Sequence, residues 1–408
     1  MIETDISIFT DKALCCNPRV VKEADALSSK GYGVLVVAIN WSDDDYLKDL
    51  NLLKDKKWKC IHLNFNKSNF RGYVNWFFSG VKKKLAIKFP FVPKLTRSIW
   101  LRNLYYRMMM RVGSKIKSRL YISHYGTLPV VVNLSRKFNC ACAYDFEDYH
   151  SLELDAGIIN QKFMDASRCL ESEYLSSCDF IISSSPLIAK KVREDYSLDS
   201  TVILNVFSST DYEILTTKNE HLCLYWFSQT IGPGRGLEDV IKAMAISKNK
   251  TKLFLQGRIG DEYLGELTNL MKYCGVNPLD LVFLDSCMPD DLVKFASKYD
   301  VGLCLEQKVP ENRNICLTNK LFTYLWSGLS IIGTETDAQK LISDDLGNAM
   351  WTYLDSDVKS LSNRIDFLSE NLKALHDSKK SSRSLFHKKY NWDQEKKKLL
   401  VLVEKLLK

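Results

Sequence analysis

The stretch "HLCLYWFSQTIGPGRGLEDVIKAMAIS" (221–247) decides how the chain is read. Residues 221–229 are apolar, aromatic and β-favouring, which predicts a strand. Gly232, Gly234 and Gly236 then punctuate it, and a helical pattern follows at once. Strand, glycine turn and helix are the repeating unit of a parallel sheet covered on both faces.

The same rhythm extends outward. Downstream, "TKLFLQGRI" (251–259), "DLVFLDSC" (280–287), "DVGLCLEQ" (300–307) and "LSIIGTET" (329–336) predict four more strands, separated by helix-like stretches. The tail "NWDQEKKKLLVLVEKLLK" predicts a last amphipathic helix. Upstream, "TDISIFT" (4–10) and "GVLVVAIN" (33–40) predict strands around the helix "PRVVKEADALSSKG" (18–31). "LYISHYGTLPVVVNLSRKFN" (120–139) reads as strand, loop and helix, and "CACAYDFEDYH" (140–150) as a strand entering a polar loop. The expected fold class is therefore α/β: two Rossmann-like domains facing across a cleft, with a C-terminal helix. Expected boundaries are 1–205 for the first domain, 206–220 for a linker, 221–390 for the second domain and 391–408 for the terminal helix.

Bulk composition agrees. The 408 residues are 46% hydrophobic and 26% charged, ordinary for folded chains and long enough for two cores. No apolar run reaches the ~18–20 residues of a membrane span, and "MIETDISIFTDKALCC" lacks a signal-peptide layout. Twelve cysteines without CxxC pairs read as reduced residues of a cytoplasmic protein.

The net charge of +8 hides an asymmetry. Residues 56–144 hold 19 of the 57 Lys and Arg and none of the 49 Asp and Glu, leaving the remainder at −11. Within that span, "KKKLAIKFPFVPKLTRSIWLRNLYYRMMMRVGSKIKSR" (82–119) mixes cations with aromatic residues and Met. Basic residues at 97, 102, 107, 111, 115 and 119 step by four or five, which predicts one helical side. Lys82, Lys83, Lys84, Lys88, Arg97, Trp100, Arg102, Arg107 and Arg111 would face anionic lipid. A solvated basic face over a core helix competes with this, and a nucleic-acid surface ranks below both because no such module surrounds it.

Several loops carry candidate chemistry. In "SQTIGPGRGLED" (228–239), Ser228, Gln229, Gly234, Arg235 and Gly236 follow a strand and precede a helix, an arrangement suited to a diphosphate. It is neither a P-loop nor a GxGxxG fingerprint. Asn319 and Lys320 open the helix of "NKLFTYLWSG" (319–328), where Lys opposes the macrodipole and implies a nearby anion. His124 follows a strand and suits acid–base work or phosphate polarisation, against the alternative of a loop-capping histidine. Asp145, Glu147 and Asp148 in "YDFEDYHSLE" (144–153) stand at a strand's carboxyl end and suit acceptor hydroxyls, against an ordinary solvated loop. "SDDDY" (42–46) reads as a solvated acidic loop, and no His/Cys cluster has zinc spacing.

Taken in order, these motifs resemble the GT-B glycosyltransferases, specifically the retaining group called family 4. The residues that carry the resemblance are "GRGLE" (234–238), "NKLFTYLWSG" (319–328) and "LSIIGTE" in the second half. In the first half they are "NPRVVKEADALSSKGYGVLVVA", "SHYGTLPVVV" (123–132) and "LNVF" (204–207). The resemblance implies a metal-independent, retaining hexosyltransferase without a cofactor, taking a nucleotide-sugar donor. Its acceptor would be a lipid-linked or growing polysaccharide. The basic aromatic segment 82–119 would park the first domain on anionic lipid at the inner face of the cell membrane, and no nucleic-acid partner is expected. The resemblance places Arg235 and Lys320 on the diphosphate. Where the chain departs from the family, donor binding would pass to neighbours (Asn319, Lys320, Arg258, Glu306 or Glu311), or the donor differs, or catalysis has decayed; the Thr323 hydroxyl can still bond a ribose or sugar hydroxyl. The family's paired glutamates fall on Ile315 and Thr323, and an expected Arg falls on Thr230. A nucleotide-sugar epimerase or phosphorylase on the same fold, and a degenerate transferase kept as a binding or scaffold subunit, are the competing functions.

Overall fold

The computed structural model describes residues 1–89, 91–155, 157–209, 219–287 and 289–408. They divide into two compact units: Met1–Ile203 with Lys396–Lys408, and Leu204–Glu395. Residues 210–218 of the expected linker lie outside the described residues.

The first unit contains β1 (Ile2–Phe9), β2 (Val34–Asn40), β3 (Lys59–Asn64), β4 (Ile116–His124), β5 (Ala141–Phe146), β6 (Phe180–Ser183) and β7 (Thr201–Val202). Their order is β3-β2-β1-β4-β5-β6-β7 and every pair is parallel. The second unit contains β8 (Leu222–Ile231), β9 (Thr251–Ile259), β10 (Leu281–Leu284), β11 (Val301–Cys304), β12 (Ser330–Thr334) and β13 (Met350–Tyr353). These run in the order β10-β9-β8-β11-β12-β13, again all parallel. Both units therefore reverse strand order once, between β1 and β4 and between β8 and β11. In open parallel sheets that switch point opens a crevice at the strands' carboxyl ends.

Local chemistry explains the elements. β2 and β12 are buried at every residue, as central strands covered by helices on both faces must be. The helix Pro18–Ser29 starts with Asn17 accepting from the Val20 N–H and Pro18 at its first position. The helix Asn319–Ser327 stops at Gly328, left-handed at φ 68°. The terminal helix Trp392–Leu407 buries Leu399 and Val403, and its end joins the first unit: Glu404 pairs with Lys30 at 2.9 Å.

Three expectations need correction. "SDDDY" is no loop: Ser42 caps the helix Asp43–Leu53, whose first turn holds Asp43, Asp44 and Asp45, favourable at the positive end of the dipole. β3 and β13 were not foreseen, being short and only partly buried. Nor does 82–119 form one helical side. It ends the helix Phe70–Lys88, then forms Lys94–Arg102 and Tyr106–Gly113, and enters β4. Buried Asn103 interrupts it, donating to the Gly126 carbonyl at 2.8 Å, and "IKSRL" alternates buried and exposed as a strand does. No helix among the described residues is long and apolar enough to cross a membrane.

Candidate functional sites at the two switch points

In the second unit the glycine turn packs on the end of β11. A Cβ on Gly236 (φ 74°) would lie 3.1 Å from Leu305 Cβ and 3.2 Å from its carbonyl oxygen, so only glycine lets the loop sit there. The helix Leu237–Ile246 that follows has Gly236 at its N-cap and no side-chain cap. β8 bulges at Ser228 and Gln229, opposite the single residue Gly257. Gly257 has φ 145°, and a Cβ there would fall 2.0 Å from the Ser228 carbonyl oxygen. Gly257→Ala should therefore lower stability by about 2–3 kcal/mol, read as a drop in melting temperature. Beyond the bulge, Thr230 pairs in register with Arg258.

Arg235 is half-buried, and burial together with the neighbouring Arg313 lowers its pKa. Arg313, on the short helix Glu311–Ile315, donates to the Gly234 carbonyl at 3.0 Å and so ties that helix to the turn. Among the described residues neither guanidinium has an ion-pair partner. Glu306 acts on Arg235 through space without pairing with it, and two adjacent cations left unpaired form an electrostatic site for an anion.

Lys320 differs. Its Nζ lies 3.1 Å from Glu306 and 5.4 Å from the Trp226 ring centroid. Glu306 also accepts from Thr318 at 3.0 Å and from Gln339 at 2.7 Å. Burial would raise this carboxyl, but Lys320 and the surrounding donors hold it below its ordinary value. The anion that explains a lysine at this helix start is thus supplied internally by Glu306. Asn319 is half-exposed beside it, whereas Thr323 is fully buried and its hydroxyl donates to the Asn319 carbonyl at 2.9 Å.

The first unit's switch point holds a buried quartet. His124 Nε2 lies 2.8 Å from Glu23, and Arg19 Nε lies 2.7 Å from Asp145 and 3.6 Å from Glu23. Arg19 also donates to the Ile203 carbonyl at 3.0 Å. All four side chains are at most 1% exposed. Burial raises the Asp145 carboxyl to about 6 against the pull of Arg19. Burial disfavours a charged His124, yet the Glu23 carboxylate raises it above its ordinary 6.5. Glu23, His124 and Asp145 have ligand atoms within 4.8 Å of one another, as a metal would need, but Arg19 already neutralises the carboxylates. Cys15, Cys16 and Asp45 also converge, where burial and Asp49 push the Cys15 thiol up and oppose thiolate formation.

Above the quartet, Glu147 and Asp148 are half-buried, with Lys12 4.0 Å from Glu147. Tyr125 has a left-handed backbone (φ 50°) and accepts a hydrogen bond from Arg102 at 2.6 Å. Arg102, foreseen facing lipid, thus turns onto this ring. The raised His124 pKa gives a sign: its stabilisation is complete below pH 6.5 and lost as pH rises through the folded value. Melting temperature should fall over that window, and His124→Gln should remove that component of the slope.

Arg19, Glu23, Lys12 and Arg313 were not singled out from the sequence. Arg19 and Glu23 stand four apart behind an Asn-Pro helix start, a pairing signal that was available.

No protein-family model matches the chain, and no curated protein matches it. Solved structures do. A sucrose-phosphate synthase from Thermosynechococcus elongatus superimposes with a TM-score of 0.72 at 12% identity, over 100% of this chain and 99% of that one. A glycosyltransferase from Rickettsia africae ESF-5 gives 0.68 at 10% identity, over 100% and 99%. Anabaena Alr3699/HepE in complex with UDP-glucose gives 0.67 at 12%, over 99% and 100%. At these identities the likeness is one of fold, and the chain has the two-domain GT-B fold.

Proposed function

We propose that this protein is a glycosyltransferase that moves a hexose from a nucleoside-diphosphate sugar to a glycan acceptor. The observation that carries this is Arg235 on the glycine turn with Arg313 tied to that turn from the helix Glu311–Ile315, neither ion-paired among the described residues, at the β8/β11 switch point. The Anabaena structures, whose complexes contain UDP, UDP and glucose, or UDP-glucose, support a donor of that class. In this reading the donor diphosphate lies against Arg235, Arg313 and the uncapped helix start at Leu237. Arg258, sharing a sheet face with Thr230, contributes the cation expected at position 230. Glu306 replaces the carboxylate expected at 323 and holds Lys320 toward the phosphates.

The acceptor hydroxyl is taken by Glu147, Asp148 and Lys12, which the buried Arg19–Glu23–His124–Asp145 quartet positions from below. The leaving phosphate accepts the acceptor proton on the face it departs, giving retention, and the arginines carry the charge without a metal. The acceptor is lipid-linked, which puts the protein at the inner face of the cell membrane.

A second reading has one observation in its favour: the Thr323 hydroxyl is committed to its own helix, as in a chain that binds a donor without using it. Incubation with a panel of nucleotide sugars separates the two. The transferase releases nucleoside diphosphate and Arg235→Ala abolishes the release, whereas a binding subunit releases none with any donor or acceptor.

A further inference from the structure

The helix Phe70–Lys88 covers the first unit with one face and leaves the other bare. Gly72, Ser79 and Ala86 are buried, while Phe70, Tyr73, Phe77, Phe78, Val81 and Leu85 face outward. Phe70 is 82% exposed and Phe78 57%, and Phe91, just past the helix, is 86% exposed. Most of these residues precede the segment singled out from the sequence. Scattered exposed apolar residues are normal, but a row of aromatics along one helix is not.

Cations frame the row. Lys67 lies over the Trp76 ring at 4.1 Å and Lys83 over Phe163 at 4.7 Å. Arg71, Lys84, Lys88 and Lys94 are exposed. Beside the helix end is a groove of about 330 Å³, lined by Ile87, Lys88, Lys94, Arg97, Leu101 and Lys162, with Ala86 and Ala166 in its apolar floor. One carboxylate, Asp165, also reaches it.

We infer that this face is a docking surface for an anionic phospholipid bilayer. The aromatics enter the acyl boundary, and Lys88, Lys94, Arg97 and Lys162 take a headgroup phosphate in the groove. Charge complementarity selects that occupant: no Asp or Glu occurs from 56 to 144, so the aromatic row is bordered by cations of its own segment. An apolar face meant for a second copy gains nothing from so one-sided a rim. The inference deepens the proposed function by naming how the protein meets a lipid-linked acceptor, and it rests on that reading only for its purpose.

The full chain is tested against phosphatidylcholine vesicles with and without about one-third phosphatidylglycerol, at low and high salt. Binding is expected only to the anionic vesicles at low salt, with blue-shifted tryptophan emission that brominated lipid quenches and Trp76→Phe diminishes. Each cation near the surface is worth roughly fivefold, so Lys88→Glu with Arg97→Glu should weaken binding by at least tenfold. Phe77→Ser with Phe78→Ser should weaken it comparably, while far-UV circular dichroism and the nucleoside-diphosphate melting shift stay unchanged. Equal binding to neutral vesicles, no binding to anionic ones, or variants that bind as wild type does would overturn the inference. So would a wild-type dimer that ignores vesicles and that the Phe variant dissociates. Vesicle binding that survives without any nucleotide response supports the surface and removes the donor reading instead.

Discussion

Replacing Arg235 and Arg313 together by alanine should weaken nucleoside-diphosphate binding by at least about a hundredfold. Each charge-assisted bond to phosphate contributes about 1.5–3 kcal/mol, and every 1.4 kcal/mol is tenfold. The fold should tolerate the change. Neither arginine is ion-paired among the described residues, and the two repel each other, so the only bond lost is Arg313 to the Gly234 carbonyl, worth about 1 kcal/mol. Titration calorimetry with the nucleotide that the wild type prefers separates the two effects. A variant that binds as tightly as wild type places the phosphates elsewhere.

Glu306→Ala should act in the opposite way, on stability first. It strands Lys320, whose side chain is only 14% exposed, without its carboxylate, and frees Thr318 and Gln339 from their acceptor. Removing one partner of such a buried pair costs about 3–5 kcal/mol, and a unit of this size loses roughly 2–4 °C per kcal/mol. A fall in melting temperature of roughly ten degrees is expected. Adding Lys320→Met should recover most of it, because an apolar replacement no longer needs a charge partner. The sign with pH follows from the lowered Glu306 pKa: its contribution is complete above its ordinary 4.5 and lost as pH falls through the folded value. If Glu306→Ala melts as wild type does, the pair is not what anchors this helix start.

What could be foreseen from the chain divides by the range of the interaction. Strand, glycine turn and helix at 221–247 are local, and Gly236 stands where the backbone meets Leu305. The alternation of apolar runs with helical patterns likewise predicted two parallel sheets, and two are present. β3 and β13 escaped because "KCIHLN" and "MWTY" are short and only partly buried, with little hydrophobic signal.

The sites are harder to foresee because their pairings are non-local. The bond between Arg19 and Asp145 joins residues 126 apart, and Glu23 meets His124 across 101. Lys320 was legible as a cation awaiting an anion, but not that Glu306 at the end of β11 supplies it. Thr230 stands where an arginine was expected; Arg258 was already a candidate replacement in the sequence, and sheet register sets it beside Thr230. The cationic span from 56 to 144 was visible in composition. Most of its exposed aromatic row precedes residue 82, where the segment that spacing favoured begins, because periodicity alone does not say which face of a helix the core takes.

In the proposed function, the second unit binds a nucleoside diphosphate at the β8/β11 switch point. The direct measurement is the melting temperature of the full chain with UDP, GDP, CDP, ADP and dTDP in turn, for wild type and for Arg235→Ala with Arg313→Ala. Ligand at about a hundred times its dissociation constant stabilises the native state by about 2.7 kcal/mol, a shift of several degrees. At least one nucleotide should shift wild type in this way, and none should shift the double variant. No shift with any of the five, or the same shift in both proteins, rules out donor binding at this site.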